Sequence, residues 1–143
     1  MIRIKPDLND SELALLPSSA EAKFYKACRS LPSNWLVLFS VPWVGTTYSG
    51  RKYDGEADFV IFAPNYGMLA IEVKGGRVES DPETGNWTSI DRSGFRNIIK
   101  NPYEQAKKEK HALLDILMKD HRFGLGKNYQ FLAGHAVFFP DCN

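Results

Sequence analysis

Cysteine is scarce in this chain: Cys28 and Cys142 are the only two among 143 residues. Two isolated thiols build neither a disulfide scaffold nor a zinc cluster, so a reducing, cytoplasmic setting is expected. No apolar run approaches the roughly 20 residues that a bilayer-crossing helix needs, so no membrane contact is expected. The opening residues MIRIKPDLND show no basic stretch followed by an apolar one and are not expected to act as a secretory leader. A strong charge of one sign is missing as well. The 18 Lys and Arg against 17 Asp and Glu leave +1, which excludes a uniformly basic nucleic-acid coat. No internal repeat, low-complexity tract or dividing linker interrupts the chain.

What is present is the composition of a packed globule: 43% hydrophobic, 13% aromatic and 24% charged. A chain of this length suits one domain and buries about two-thirds of its unfolded surface without a metal or disulfide staple. Its charge is uneven. Residues 1–91 carry 9 basic and 12 acidic side chains, residues 92–127 carry 9 and 4, and residues 128–143 carry only Asp141. An acidic half followed by a basic segment can set a carboxylate-rich region beside a surface that attracts phosphate. Lys107, Lys108 and Lys110 taken alone read as a solvated helix face.

Residues 1–16 are polar and Pro-containing and read as a lead-in to a domain spanning 17–143. Ser18 to Leu31 reads as a helix, capped by Ser18 and bounded by Pro17 and Pro32. Trp35 to Val41 reads as a buried strand, and Pro42 to Asp54 as a loop. Glu56–Phe62 and Met68–Lys74 read as two strands joined by a five-residue turn, with a further edge strand expected over Asn86–Asp91. Asn101 and Pro102 open a longer helix expected to reach about His121, with an apolar stripe of Tyr103, Ala106, Leu113, Leu114 and Leu117. Tyr129 to Phe139 reads as a last strand. The order predicts a mixed α/β domain with helices covering a central sheet. The stop at Asp141-Cys142-Asn143 directly after that strand suggests the N-terminal part of a longer protein.

The hairpin carries the chemistry. Closed symmetrically about Asn65, it pairs Asp58 with Glu72 and Glu56 with Lys74. Side chains alternate along a strand, so all four point to one face at the end away from the turn. The flanking residues are apolar on both faces: Phe59, Ile61, Ile71 and Val73 on one, Val60, Phe62, Met68 and Ala70 on the other. The charges therefore sit at the mouth of a core. Opposed Cβ atoms in an antiparallel pair stand about 4.5–5.5 Å apart, a spacing at which two carboxylates repel unless a cation or proton intervenes. A hard divalent ion with oxygen ligands meets that need, and Lys74 reaches the same cluster. The bland alternative is an ion-pair ladder on an edge hairpin.

GEADFVIFAP followed by MLAIEVKGG, with Glu21 upstream and NPYEQAKKEK downstream, resembles the nuclease-related domain family of the PD-(D/E)xK nuclease superfamily. The resemblance runs from about Pro17 to Phe139. It implies a restriction-endonuclease-like fold and Mg²⁺-dependent hydrolysis of DNA, with Mn²⁺ able to substitute. Asp58 and Glu72 would hold the metal, with the backbone carbonyl of Val73 as a third ligand. Lys74 would be the catalytic lysine, supported by Glu21 from the first helix and Gln105 from the second. Ala57 stands where the superfamily name calls for Pro. The resemblance also implies DNA processing or repair, with a helicase domain in the same polypeptide as partner.

Two supporting residues have competing roles. Ser18-x-x-Glu21 matches a capping box, which would occupy the Glu21 carboxylate. Gln105 lies in the first turn of its helix, where phosphate is favoured and where a solvated amide is equally ordinary. His111, His121 and His135 lack ligand spacing, and Trp35, Trp43 and Trp87 read as packing residues. A non-catalytic DNA-binding module for an attached motor, its affinity carried by Arg92–Lys127, is the alternative function.

Overall fold

Leu36 to Leu38 receives a partner from the very start of the chain. Arg3–Lys5 form strand β1, Asp10–Ala14 helix α1, Ser19–Cys28 helix α2 and Leu36–Thr46 strand β2. Lys52–Ala63 (β3), Gly67–Val73 (β4), Arg77–Ser80 (β5), Trp87–Ile90 (β6), Arg96–Ile99 (β7), Pro102–Lys119 (α3) and Ala133–Phe138 (β8) follow. The structure is a computed structural model that describes residues 1–46, 49–120, 122 and 132–142. The central sheet runs β1-β2-β3-β4-β8, and β5-β6-β7 form a second, three-stranded sheet. β1 pairs parallel with β2 and β4 parallel with β8, while β2-β3 and β3-β4 are antiparallel. This mixed sheet with helices on both faces is the α/β, restriction-endonuclease-like architecture expected.

The hairpin register is the symmetric one, from Ala63 opposite Gly67 to Phe59 opposite Ile71. Its two faces bury separately. Phe59, Ile61, Ile71 and Val73 join Ala20, Tyr25 and Cys28 of α2, together with Ile4 and Leu13. Val60 and Met68 join Trp43, Ala57 and the α3 residues Ala112 and Leu113. Even-numbered hairpin side chains thus face α3, and that parity decides which helix can meet Asp58 and Glu72. Within the expected α3 stripe, Ala106 and Leu113 are buried, whereas Tyr103 is exposed and stacks across Trp87 at 5.6 Å.

Three features depart from the sequence reading. The lead-in is woven into the fold: Tyr25 Oη accepts from the Leu8 N–H at 2.8 Å and donates to the Pro6 carbonyl at 2.7 Å. The stretch from Pro42 to Asp54 is largely strand, with pairing from Pro42–Glu56 out to Thr46–Lys52. Pro42 is tolerated because β1 covers only Leu36–Leu38, leaving β2 with one free edge beyond it. Trp43 lies over Gly55, where a Cβ would strike the indole ring. The strand expected over Asn86–Asp91 is β6, in the small sheet, between two strands too polar and exposed to show alternation. His121 and the residues Tyr129 to Phe131 at the start of the expected last strand lie outside the described residues.

Candidate catalytic centre

β3 parts from both its neighbours at Asp58. On one side the ladder runs Phe39–Phe59 and then Val41–Ala57, passing over Ser40, whose φ of 57° turns its backbone out of strand geometry. On the other side the β3-β4 ladder stops at Phe59–Ile71, while β4 continues alongside β8 to Val73–Phe138. The Asp58 side chain fills the gap: Oδ2 accepts the Val73 N–H at 2.8 Å. A side-chain oxygen here does the work of a strand carbonyl, and it fixes Asp58 beside Glu72 rather than merely across from it.

Glu72 is 4% exposed, and its Oε1 lies 2.9 Å from Lys74 Nζ. Its Oε2 is buried without a hydrogen-bond partner. Lys74 is anchored by its own N–H, which donates to the Phe138 carbonyl at 3.0 Å. Glu56 is exposed and takes a 2.6 Å bond from Ser40 Oγ, so it stands at the rim rather than within the cluster.

Glu21 resolves the competition between cap and site. In α1 the box is complete, with Asn9 and Glu12 bonded reciprocally. In α2 the Ser18 hydroxyl accepts from the Glu21 N–H at 3.3 Å, and the Glu21 carboxyl is hydrogen-bonded to Asp58. Burial raises the Glu21 pKa, Glu56 and Glu72 adding to it by repulsion, while Asp58 and Lys74 oppose the shift.

From α3 comes a residue the sequence reading missed. Asn101 Oδ1 caps the helix by accepting from the Tyr103 and Glu104 N–H groups. Gln105 and Glu109 follow one turn apart on the face that meets β4. Glu109 is 6% exposed. Gln105 Oε1 and Glu109 Oε2 are buried without hydrogen-bond partners. Burial pushes the Glu109 pKa up to about 9, helped by a hydrogen bond to Glu72 and repulsion from Glu72 and Asp58. The signal was available: once Gln105 is placed at the site, helical spacing puts Glu109 on the same face.

Asp58 is pushed up to about 7, first by burial and then by the Glu72 charge, against the Val73 hydrogen bond. Glu21, Asp58, Glu72 and Glu109 thus crowd around Lys74 in a sheltered place. A buried oxygen acceptor left unpaired costs about 1–3 kcal/mol, so Glu72 Oε2 calls for a donor or cation. Among the described residues, no three His, Cys, Asp or Glu side chains converge closely enough to hold an ion unaided. Mg²⁺, which takes one or two carboxylates and completes its shell with water and substrate oxygens, fits such a donor set. The candidates to hold it are Asp58, Glu72 and the Val73 carbonyl.

The remaining expectations concern packing. Trp35 faces Tyr66 at 6.4 Å, Trp43 is buried and Trp87 is half-buried. His111 is exposed, and His135 is half-buried on β8, its pKa lowered chiefly by burial. Among the described residues no helix is long and apolar enough to cross a membrane.

The family model described as the nuclease-related domain (NERD) matches residues 17–140. Neither a curated protein nor a solved structure matches the chain.

Proposed function

Because this chain belongs to the nuclease-related domain family, we propose that it is a metal-dependent nuclease that hydrolyses DNA phosphodiester bonds in DNA processing. The observation that carries this reading is the Asp58–Val73 bond at the strand break. It brings two acids from diverging strands to one place and leaves a buried Glu72 oxygen without a partner.

Asp58, Glu72 and the Val73 carbonyl would hold Mg²⁺, with Mn²⁺ able to substitute. A divalent cation there supplies positive charge to the non-bridging oxygens of a phosphate. Lys74, held 2.9 Å from Glu72, keeps its ammonium at the mouth of the cluster. From there it orients a water for attack and stabilises charge developing on phosphorus-bound oxygen. Glu21, bonded to Asp58, fixes that carboxylate's second direction. Gln105 stands at the N-terminal turn of α3, where main-chain N–H groups and the helix dipole favour a phosphate.

The test offers linear duplex, circular duplex and single-stranded DNA, with RNA alongside, in Mg²⁺ and in Mn²⁺. Wild type should cut DNA, EDTA should stop it, and Lys74→Ala should abolish it. No cleavage of any substrate, or undiminished cleavage by Lys74→Ala, overturns the reading.

A further inference from the structure

We propose that Glu72, Gln105 and Glu109 enclose a second divalent-cation site, behind the one assigned to Asp58 and Glu72, with Glu72 shared between them. The proposal rests on the reading of this hairpin as a cation-dependent centre and adds a place to it.

Three buried side-chain oxygens, Glu72 Oε2, Gln105 Oε1 and Glu109 Oε2, have no hydrogen-bond partner among the described residues. They come from two elements packed on each other, β4 and α3. Gln105 and Glu109 are four residues apart, which places their Cβ atoms about 5–6 Å from each other on one helix face. Glu109 occupies a position where a helix packed on a sheet ordinarily carries an apolar side chain, with Ala106, Ala112 and Leu113 as its buried neighbours. A carboxylate kept at such a place needs compensation.

The chemistry narrows the occupant. All three atoms are oxygens, which suits a hard ion such as Mg²⁺, Mn²⁺ or Ca²⁺ and disfavours zinc or copper. A water molecule offers two protons and no net charge, so it cannot neutralise two carboxylates and serve Gln105 as well. Lys74 is already engaged on the other oxygen of Glu72, at 2.9 Å. A divalent ion meets all three oxygens at once and takes the rest of its shell from water. Glu72, offering Oε1 toward Lys74 and Oε2 toward α3, then lies between the two places.

The number of bound ions decides the matter. Full-length chain is stripped with EDTA and titrated with Mn²⁺, followed by calorimetry and by the electron paramagnetic resonance of free ion. Melting curves of the cation-free proteins establish that each variant folds. Wild type should bind two Mn²⁺. Glu109→Gln should bind one, and Gln105→Leu should weaken the second ion by about tenfold while sparing the first. Asp58→Asn should lose the other ion. One ion in wild type that survives Glu109→Gln and vanishes in Asp58→Asn overturns this proposal and leaves the nuclease reading standing. That is also the result if Glu109 carries a proton in place of a cation. Two ions retained in Glu109→Gln overturn it as well. No ion bound by wild type removes both readings.

Discussion

Asp58 Oδ2 stands 2.8 Å from the amide nitrogen of Val73, in the position a neighbouring strand would occupy had β3 and β4 stayed together. One carboxylate therefore serves two ends. It closes the main-chain hydrogen bonding at the point where the strands diverge, and it is turned toward Glu72. Removing the side chain confounds these ends, whereas Asp58→Asn keeps an oxygen for the Val73 N–H and removes the charge.

Asp58→Asn should consequently fold and lose its response to cations. A ligand at 100 times its Kd stabilises the native state by about 2.7 kcal/mol. Saturating Mg²⁺ or Mn²⁺ should raise the wild-type Tm and leave that of Asp58→Asn nearly unmoved. Equal rises in both proteins would show that the ion binds elsewhere.

Lys74→Ala should lower kcat for DNA cleavage by roughly 10²–10⁴-fold, the range for loss of a positioned proton-handling or charge-stabilising group. KM should change far less, because the ammonium acts at the reacting phosphate rather than along the DNA. Steady-state kinetics on a short labelled substrate separates the two. A change confined to KM would reassign Lys74 to substrate binding.

In EDTA, pH should act on stability through the crowded acids. The folded chain holds protons on Glu109 up to about 9 and on Asp58 up to about 7, against ordinary values of 4.5 and 3.8. Folded protein thus binds these protons more tightly than unfolded protein, and their stabilisation is lost as pH rises. Wild type should lose stability relative to Glu109→Gln as pH climbs from about 4.5 to about 9. Urea midpoints across that range test it, and a constant difference between the two proteins would contradict it.

Phe59 should be among the costliest core positions. Its ring is fully buried, 4.6 Å from Phe24 and 4.9 Å from Phe39. Phe59→Ala should cost about 3–5 kcal/mol in a chemical denaturation experiment. Because Phe59 directly precedes Asp58, this variant should also weaken cation binding. A loss below about 1 kcal/mol would show a site able to collapse around the missing ring.

The hairpin was legible because its two strands obey one rule from end to end. Period-two alternation fixed the faces, the short turn fixed the register, and the charged residues broke the apolar pattern at one end. Pro42 concealed the length of β2, since a proline argues against a strand unless the unpaired edge beyond Leu38 is known. β5 and β7 were hidden because nothing buries them deeply enough to impose a pattern on Arg77–Ser80 or Arg96–Ile99. Glu109 was passed over for a different reason. It sits in a run of lysines and reads as solvated, and only the packing of α3 on β4 turns it inward. The Glu21 carboxyl faced two partners of comparable local appeal, and the tertiary neighbour Asp58 prevailed.

Ile4 and Leu13 lie ahead of residue 17, where the family match begins, yet both are buried in the core. A chain trimmed to that boundary would bare a strip of unpaired amides and carbonyls along β2 and open a greasy hollow under α2. Such a surface invites a strand from another molecule. The tidy limit drawn by likeness among sequences is therefore a poor place to cut, and insolubility of the shortened protein would reflect a missing edge rather than a faulty enzyme.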